Sequence, residues 1–153
     1  MGFETAAGTT LKCAVSAPAT FDAPGYAALT FTGVGEVTNA GEFVGKVFSL
    51  VTHSPLSSRG VKKAKGSYNN GQVSPDLAFD FDDAGQVILT AAADSEVDAT
   101  ATLSFEMTTQ SGHVVYFQGL VMSNPMTIGT SDSVVMGKPV IEVTDKAIIQ
   151  VAA

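Results

Sequence analysis

The sequence predicts a mainly β domain with one short helix set between strands. The first observation is an alternation over residues 72–81, in which the apolar side chains share one side: Val73, Leu77, Phe79 and Phe81. A period of two is typical of a half-buried strand. The second observation is residues 84–93, an apolar run at helical spacing that begins directly after two aspartates. The third is residues 99–107, where the alternation with period two resumes.

The first part of the chain reads as strands separated by turns. Residues 11–15 and 27–32 are predicted strands, and Pro18, Pro24 and Gly25 break the chain between them. Residues 34–38 are short and extended, and residues 44–52 form a stronger strand that is rich in Val and Phe. Cys13 is the only cysteine, so no intrachain disulfide is possible, and we expect it to be a small buried hydrophobe.

Residues 53–70 are predicted to be a long loop. They contain prolines, glycines and asparagines and almost no periodic apolar pattern. They also carry half of the eight Lys and Arg residues, namely Arg59, Lys62, Lys63 and Lys65. Because structureless loops of this length are usually functional or disordered, we interpret the segment as an arm that leaves the domain.

The predicted helix and the strands after it complete the fold. Asp82 and Asp83 offer oxygens that cap the helix and negative charge at the positive end of its dipole. The helix is expected to pack on the strands through a face formed by Val87, Ile88 and Ala91. Residues 99–107 and 113–122 form a hairpin around a turn at 108–112, residues 124–137 are a second long polar connection, and residues 138–151 close the chain as strands with an interruption near 145–146.

Composition limits the classes of function. The chain has 153 residues, 45% of them hydrophobic and 15% charged, which suits one folded domain over residues 1–153. The formal net charge of −7 argues against tight nucleic-acid binding, which needs clustered Lys and Arg. A surface poor in charge often contacts other protein. No signal-peptide pattern and no run of membrane-spanning length is visible, so we expect synthesis and folding in the cytoplasm.

No motif of a catalytic, metal or cofactor site is present. Residues 80–85 resemble the start of a calcium loop, but Ala84 and Ala91 stand where ligands are needed. His53 and His113 are the only histidines, neither lies in a hydrolase motif, and Gly33 with Gly35 reads as a β-turn or bulge. We therefore expect a protein that is not an enzyme and has no cofactor.

Opposite charges are separated along the chain. The basic arm of residues 59–65 is matched by seven acidic residues further on: Asp76, Asp80, Asp82, Asp83, Asp94, Glu96 and Asp98. This separation suits head-to-tail association of identical subunits, with the arm docking on an acidic neighbour. The alternative is an arm that is simply solvated, since exposed ion pairs contribute little.

The order of segments resembles a known family. The segments that carry the resemblance are residues 34–38 (VGEVT), the loop 53–70, the strand 72–81, residues 82–86 (DDAGQ) leading into the helix, the hairpin 99–122 with FQGLV at 117–121, and residues 138–143. Together they resemble the tail tube protein, or major tail protein, of long-tailed bacteriophages. The similarity covers nearly the whole chain from Leu11 onward, and order and spacing carry it rather than one motif.

The resemblance implies a β-sandwich or barrel flanked by one short helix. Six copies would form a ring in which strands join into a continuous barrel around a lumen, and stacked rings would form the tube through which DNA passes at infection. The long loop would reach the next ring or subunit. The implied partners are other copies of the chain, the tape-measure protein and tail-terminator or baseplate proteins. The implied location is the virion, with assembly in the host cytoplasm.

Net negative charge suits such a conduit, because an acidic lumen repels the phosphates of DNA. Candidate lumen residues are the polar alternates of the strands, namely Asp76 and Asp80 or Thr102, Ser104 and Glu106, and Asp82 and Asp83 are further candidates for docking or for the lumen. Which set faces the lumen stays open.

Three other functions compete with this one. The first is a tube protein of a contractile injection system or of a type VI secretion system, which shares the architecture. The second is a β-sandwich decoration or adhesion module, for which only Tyr26 and Tyr68 would serve as exposed loop aromatics. The third is a hydrolase on a β scaffold, which lacks a motif centred on histidine.

Overall fold

The computed structural model describes residues 2–153 and shows a mainly β chain with several antiparallel sheets. The elements in order are β1 (Thr10–Ala14), α1 (Ala23–Ala27), β2 (Thr32–Val34), β3 (Val37–Asn39), β4 (Val47–His53), β5 (Lys62–Asn69), β6 (Gln72–Val73), β7 (Asp76–Ala78), α2 (Ala84–Asp94), α3 (Asp98–Ala101), β8 (Thr102–Thr108), β9 (Val114–Ser123), β10 (Met126–Thr127), β11 (Met136–Gly137), β12 (Val140–Val143) and β13 (Ile149–Val151). None of the helices within residues 2–153 has the length and apolar character needed to cross a membrane.

The main sheet is built around the hairpin of β8 and β9. Its strand order is β2-β1-β8-β9-β12-β6, and β13 pairs with β9 beside β12. The predicted hairpin is confirmed, because Phe105 pairs with Phe117 and their stacked rings lie 5.0 Å apart. The predicted start of its first strand at residue 99 is wrong, because Asp98–Ala101 form the short helix α3 and β8 begins at Thr102. Both rings are completely buried, so this pair forms the centre of the core.

A second sheet and helix α2 share that core. The second sheet has the strand order β10-β11-β7-β3, and its Leu77 is completely buried in the same cluster as Phe117. Helix α2 contacts β9, β2 and β1 and contributes Leu89 to the cluster. Cys13 is also fully buried there, as the sequence predicted.

Strands β4 and β5 form a third sheet of their own. They pair antiparallel with each other, from Val47 opposite Asn69 to His53 opposite Lys62, and with no other strand in the described part of the chain. The prediction that residues 53–70 are all loop is wrong, because β5 occupies Lys62–Asn69. Every residue of the pair except Gly66 is exposed. Neither face of β5 is buried, and so its sequence carries no apolar alternation.

Two further strand predictions are wrong for local reasons. Residues 27–32 do not form a strand: Asp22 caps the short helix α1 by accepting a hydrogen bond from the Gly25 amide at 2.8 Å, and the strand β2 starts only at Thr32. The predicted strand 72–81 is two short strands, β6 and β7, with the buried Pro75 between them. A proline lacks the amide that a continuous ladder needs.

The helix is where the sequence placed it, and Ile88 of the predicted packing face is half-buried against the core, but Val87 and Ala91 of that face are not packed. Asp83 is its N-cap and accepts a hydrogen bond from the Gln86 amide, as predicted for this pair of aspartates. The buried residues are instead Gly85, Gln86, Leu89 and Ala92. Val87 is 51% exposed, and Ala91 is also exposed.

Candidate functional site

The exposed hairpin of β4 and β5 has two chemically different faces. Residues paired across two strands lie on the same face, and neighbours along a strand alternate between faces. One face therefore carries Phe48, Leu50, Thr52, Lys63, Lys65 and Tyr68, and the other carries Val47, Ser49, Val51, His53, Lys62, Ala64 and Asn69. We call the first set the aromatic face. The predicted arm lysines are thus divided, with Lys63 and Lys65 on the aromatic face and Lys62 opposite.

The aromatic face is ordered by its own side chains. The rings of Phe48 and Tyr68 lie 5.5 Å apart, and the Lys65 ammonium sits 4.5 Å from the centre of the Phe48 ring. Lys46 lies over the Tyr68 ring at 4.7 Å. These cation–π contacts hold positive charge over an apolar surface that remains open to solvent.

The tip of the hairpin is a tight turn. The Ser58 amide donates to the Pro55 carbonyl at 3.3 Å, and the Gly60 amide donates to the Ser58 hydroxyl at 3.1 Å. Leu56 lies inside this turn and is fully exposed. Arg59, the fourth residue of the predicted basic arm, follows three residues later in the same exposed loop.

Such a hairpin is unusual in an isolated chain. A two-stranded ribbon with no buried face is marginally stable in water, and its unpaired edges are sites for pairing with another chain. The ribbon also exposes Val47, Leu50, Val51 and Val61, which are apolar side chains. An exposed apolar surface of this kind marks a protein contact or a ligand surface.

The predicted acidic residues occupy different environments. Asp76 forms an ion pair with Lys138 at 3.2 Å. The Asp80 carboxylate accepts from the Asp82 amide at 2.9 Å, and both residues are exposed in the turn before α2. Glu106 is half-buried in β8 and accepts from the Thr108 hydroxyl.

Two of the predicted surface residues serve the fold. Ser104 is completely buried and donates to the Ser16 carbonyl at 2.8 Å, so its expected place among lumen-facing residues is wrong. The Asp83 carboxylate accepts from the Gly35 amide at 3.1 Å as well as from the Gln86 amide at 3.0 Å. Its charge is therefore used by backbone amides within the subunit.

Gln86 is the residue that sequence reasoning missed. Its side chain is completely buried and donates to the carbonyls of Gly35 at 3.0 Å and Ala78 at 2.9 Å. Its amide oxygen accepts from the Asp80 backbone amide at 2.9 Å. We call these bonds, together with those of Asp83, the Gln86 clamp. They tie α2 to β7 and to the turn after β2, where Glu36 has a φ of 61°. Backbone strain of this kind persists only where the surroundings fix it.

A groove lies beside the clamp. It has a volume of about 270 Å³ and is lined by Phe79, Asp80, Phe81, Gln86, Val87, Thr90, Ala91 and Asp94. The sequence placed Phe81 on the buried side of a strand, but it is 70% exposed and its ring lies 4.7 Å from that of Phe79. The two rings form one apolar wall of the groove, and the exposed side of α2 forms the other.

Burial shifts the pKa of two groups strongly, and it raises the pKa of the Tyr26 phenol to about 12. Burial, with a smaller contribution from the charge of Asp83, raises the pKa of the Cys13 thiol to about 12. His53 ends β4, and His113 lies next to β9, where its Nδ1 accepts from the Ala153 amide at 3.0 Å. Within residues 2–153 no three His, Cys, Asp or Glu side chains converge as a metal site would require.

Comparison with known proteins adds no family to this description. No family model matches the chain, and no curated protein matches it in sequence.

Proposed function

We propose that this chain is a structural subunit that polymerises through stacked rings into a tube, as the tail tube protein of a long-tailed bacteriophage. The tube would be the conduit for DNA ejection, with rings of six copies as the resemblance in sequence implies. In this proposal the subunit has a β-sandwich or barrel body and an arm that contacts the next ring or subunit.

The exposed hairpin is the observation that carries the proposal. It is a ribbon of 15 strand residues in β4 and β5, and it has no buried face in the single subunit. This ribbon has open edges, exposed apolar side chains and lysines held over aromatic rings. Such a ribbon becomes stable when a neighbouring subunit covers it. A purely solvated arm would have no need of Phe48, Leu50 and Tyr68 on its surface.

Charge supports the same conclusion. The net charge of −7 disfavours attachment of DNA to the tube wall, while the arm concentrates half of the basic residues in one place. A subunit with a basic arm and an acidic body associates head to tail, and head-to-tail contacts generate rings or extended polymers.

Negative-stain electron microscopy of the purified protein at high concentration, and of any particle that contains it, tests the proposal. We expect hollow rings or tubes with a central channel. The same samples of the K62E/K63E/K65E variant should show shorter tubes or none, because the arm would then repel an acidic neighbour.

A matched variant separates the charge of the arm from other effects of substitution. K62R/K63R/K65R changes the same three side chains and keeps their positive charge, so its tubes should resemble those of the wild type. Wild-type protein that stays monomeric, with no tube in any particle carrying the chain, would overturn the proposal. Tubes of unchanged length from the K62E/K63E/K65E variant would show that the arm lysines do not take part in assembly.

A further inference from the structure

The groove beside the Gln86 clamp is an apolar slot with an acidic rim. Phe79 and Phe81 form one wall and Val87 and Ala91 form the other, while the lining also includes the carboxylates of Asp80 and Asp94. The floor is fixed because Gln86 beneath it has all its side-chain hydrogen bonds within the subunit. The slot is therefore formed before anything enters it.

The tip of the hairpin has the complementary character. Leu56 projects from a hydrogen-bonded turn with its side chain fully exposed. Arg59 lies three residues later, and Lys62 starts the following strand. An apolar tip surrounded by positive charge matches an apolar slot surrounded by negative charge.

We propose that Leu56 of one copy of this chain inserts into the groove between α2 and the Phe79–Phe81 pair of a second copy. Arg59 and Lys62 then face Asp80 and Asp94. Each copy carries one tip and one groove, so the contact repeats without using the same surface twice, which is the geometry of an extending polymer. This inference rests on the proposed function for its biological setting.

Cysteine pairing between two variants tests the contact directly. The native Cys13 is completely buried, so it does not compete with engineered thiols at the surface. L56C protein is mixed with V87C protein under mild oxidation, and disulfide-linked dimers are counted on a non-reducing gel. A disulfide forms only where the two Cα atoms come within about 7 Å.

The control uses a valine of similar exposure elsewhere. Val15 is 68% exposed and lies just beyond the end of β1, and Val87 is 51% exposed. We expect L56C to link to V87C at least about tenfold faster than to V15C. Equal rates with the two partners, or no linkage to V87C, would overturn the docking of Leu56 in the groove.

A second variant measures the strength of the contact. L56S replaces an apolar side chain that is fully exposed in the single subunit, so the thermal stability of the monomer should not change. Loss of a buried leucine from the interface should raise the critical concentration for assembly about tenfold or more. V134S, which changes a residue that is 64% exposed and far from the tip in sequence, should leave it unaltered.

The outcomes separate the two proposals. Tubes in the wild type without preferential linkage to V87C would overturn the groove contact and leave the tube function standing. Preferential linkage in solution, together with no tube or ring in any particle that carries the chain, would support the contact and overturn the tube function. An L56S critical concentration equal to that of the wild type would also overturn the contact.

Discussion

Replacement of Gln86 by Met is the sharpest test of how the helix is held. Methionine has a similar length but offers neither donor nor strong acceptor, so Q86M keeps most of the packing and removes three hydrogen bonds. The carbonyls of Gly35 and Ala78 and the amide of Asp80 would then lose their partners, which lie at 2.9–3.0 Å in the wild type.

The size of the effect follows from those three groups. A buried polar group without a partner costs about 1–3 kcal/mol. These segments reach the surface, so the low end applies to each, and the total is about 3 kcal/mol. For a domain of this size the loss corresponds to a fall in Tm of about 6–12 °C.

Urea denaturation followed by circular dichroism measures the change. The midpoint should fall while the slope with denaturant stays constant, since the same surface is exposed on unfolding. V87M is the matched control, because Val87 is the next residue along and is half exposed; its effect should stay within about 0.5 kcal/mol. A Q86M stability equal to that of V87M would show that the hydrogen bonds of Gln86 do not fasten the helix.

Four further expectations concern the core. G85A should destabilise the fold by about 2 kcal/mol in the same urea assay, because the added Cβ would lie 2.3 Å from the backbone oxygen of Gly33 in β2. This loss is expected although alanine favours helices more than glycine does. A more stable variant would contradict this close approach. L89A should cost about 2–5 kcal/mol, since Leu89 is completely buried, and V87A should cost much less, so equal losses would contradict the observed helix face. The Cys13 thiol should react with a thiol reagent at pH 8 only after unfolding, and immediate labelling of the native protein would contradict its burial. The pKa of the Cys13 thiol, about 12, lies above its ordinary value of 9.0. Between pH 9 and pH 12 the native thiol therefore keeps a proton that the unfolded thiol has lost. The free energy of unfolding should fall by up to about 1.4 kcal/mol per pH unit as pH rises through that range.

The parts of the fold that burial dictates were accessible from the sequence. Residues 102–108 and 114–121 alternate because one side faces the core, and the buried rings of Phe105 and Phe117 confirm that pattern. The helix start was also readable, because a capping aspartate has a local effect that needs no knowledge of the rest of the chain.

The parts that burial does not dictate were missed. Strand β5 has both faces exposed, so no pattern distinguishes it from a loop. The helix is apolar on nearly all sides, from Val87 to Ala93, and its periodicity therefore could not select the packing face. Gly85 and Gln86 are buried because β2 and β7 approach the helix closely, a tertiary fact that local sequence does not encode.

Some features of the candidate site could be predicted from the sequence, and others could not. The basic residues of the hairpin were found from their clustering, because charge is read directly from the sequence. The groove depends on Phe81 turning outward at the end of a broken strand, and alternation alone predicted the opposite. Lys63 and Lys65 could be placed on one face only after the strand register was known.

The separation of the hairpin from both larger sheets has a consequence for when the proposed assembly would occur. Its amides can open to solvent without disturbing the core, so hydrogen exchange should be fast in β4 and β5 of the free subunit and slow in β8 and β9. In the proposed assembly, the first contact between two free subunits would immobilise a labile ribbon, which costs conformational entropy. A growing end on which ribbons are already held presents the next subunit with a surface that is fixed in advance. In the proposed tube, elongation is then favoured over spontaneous nucleation, so below the high concentration at which free subunits nucleate, a store of them stays dispersed until a starting end is supplied.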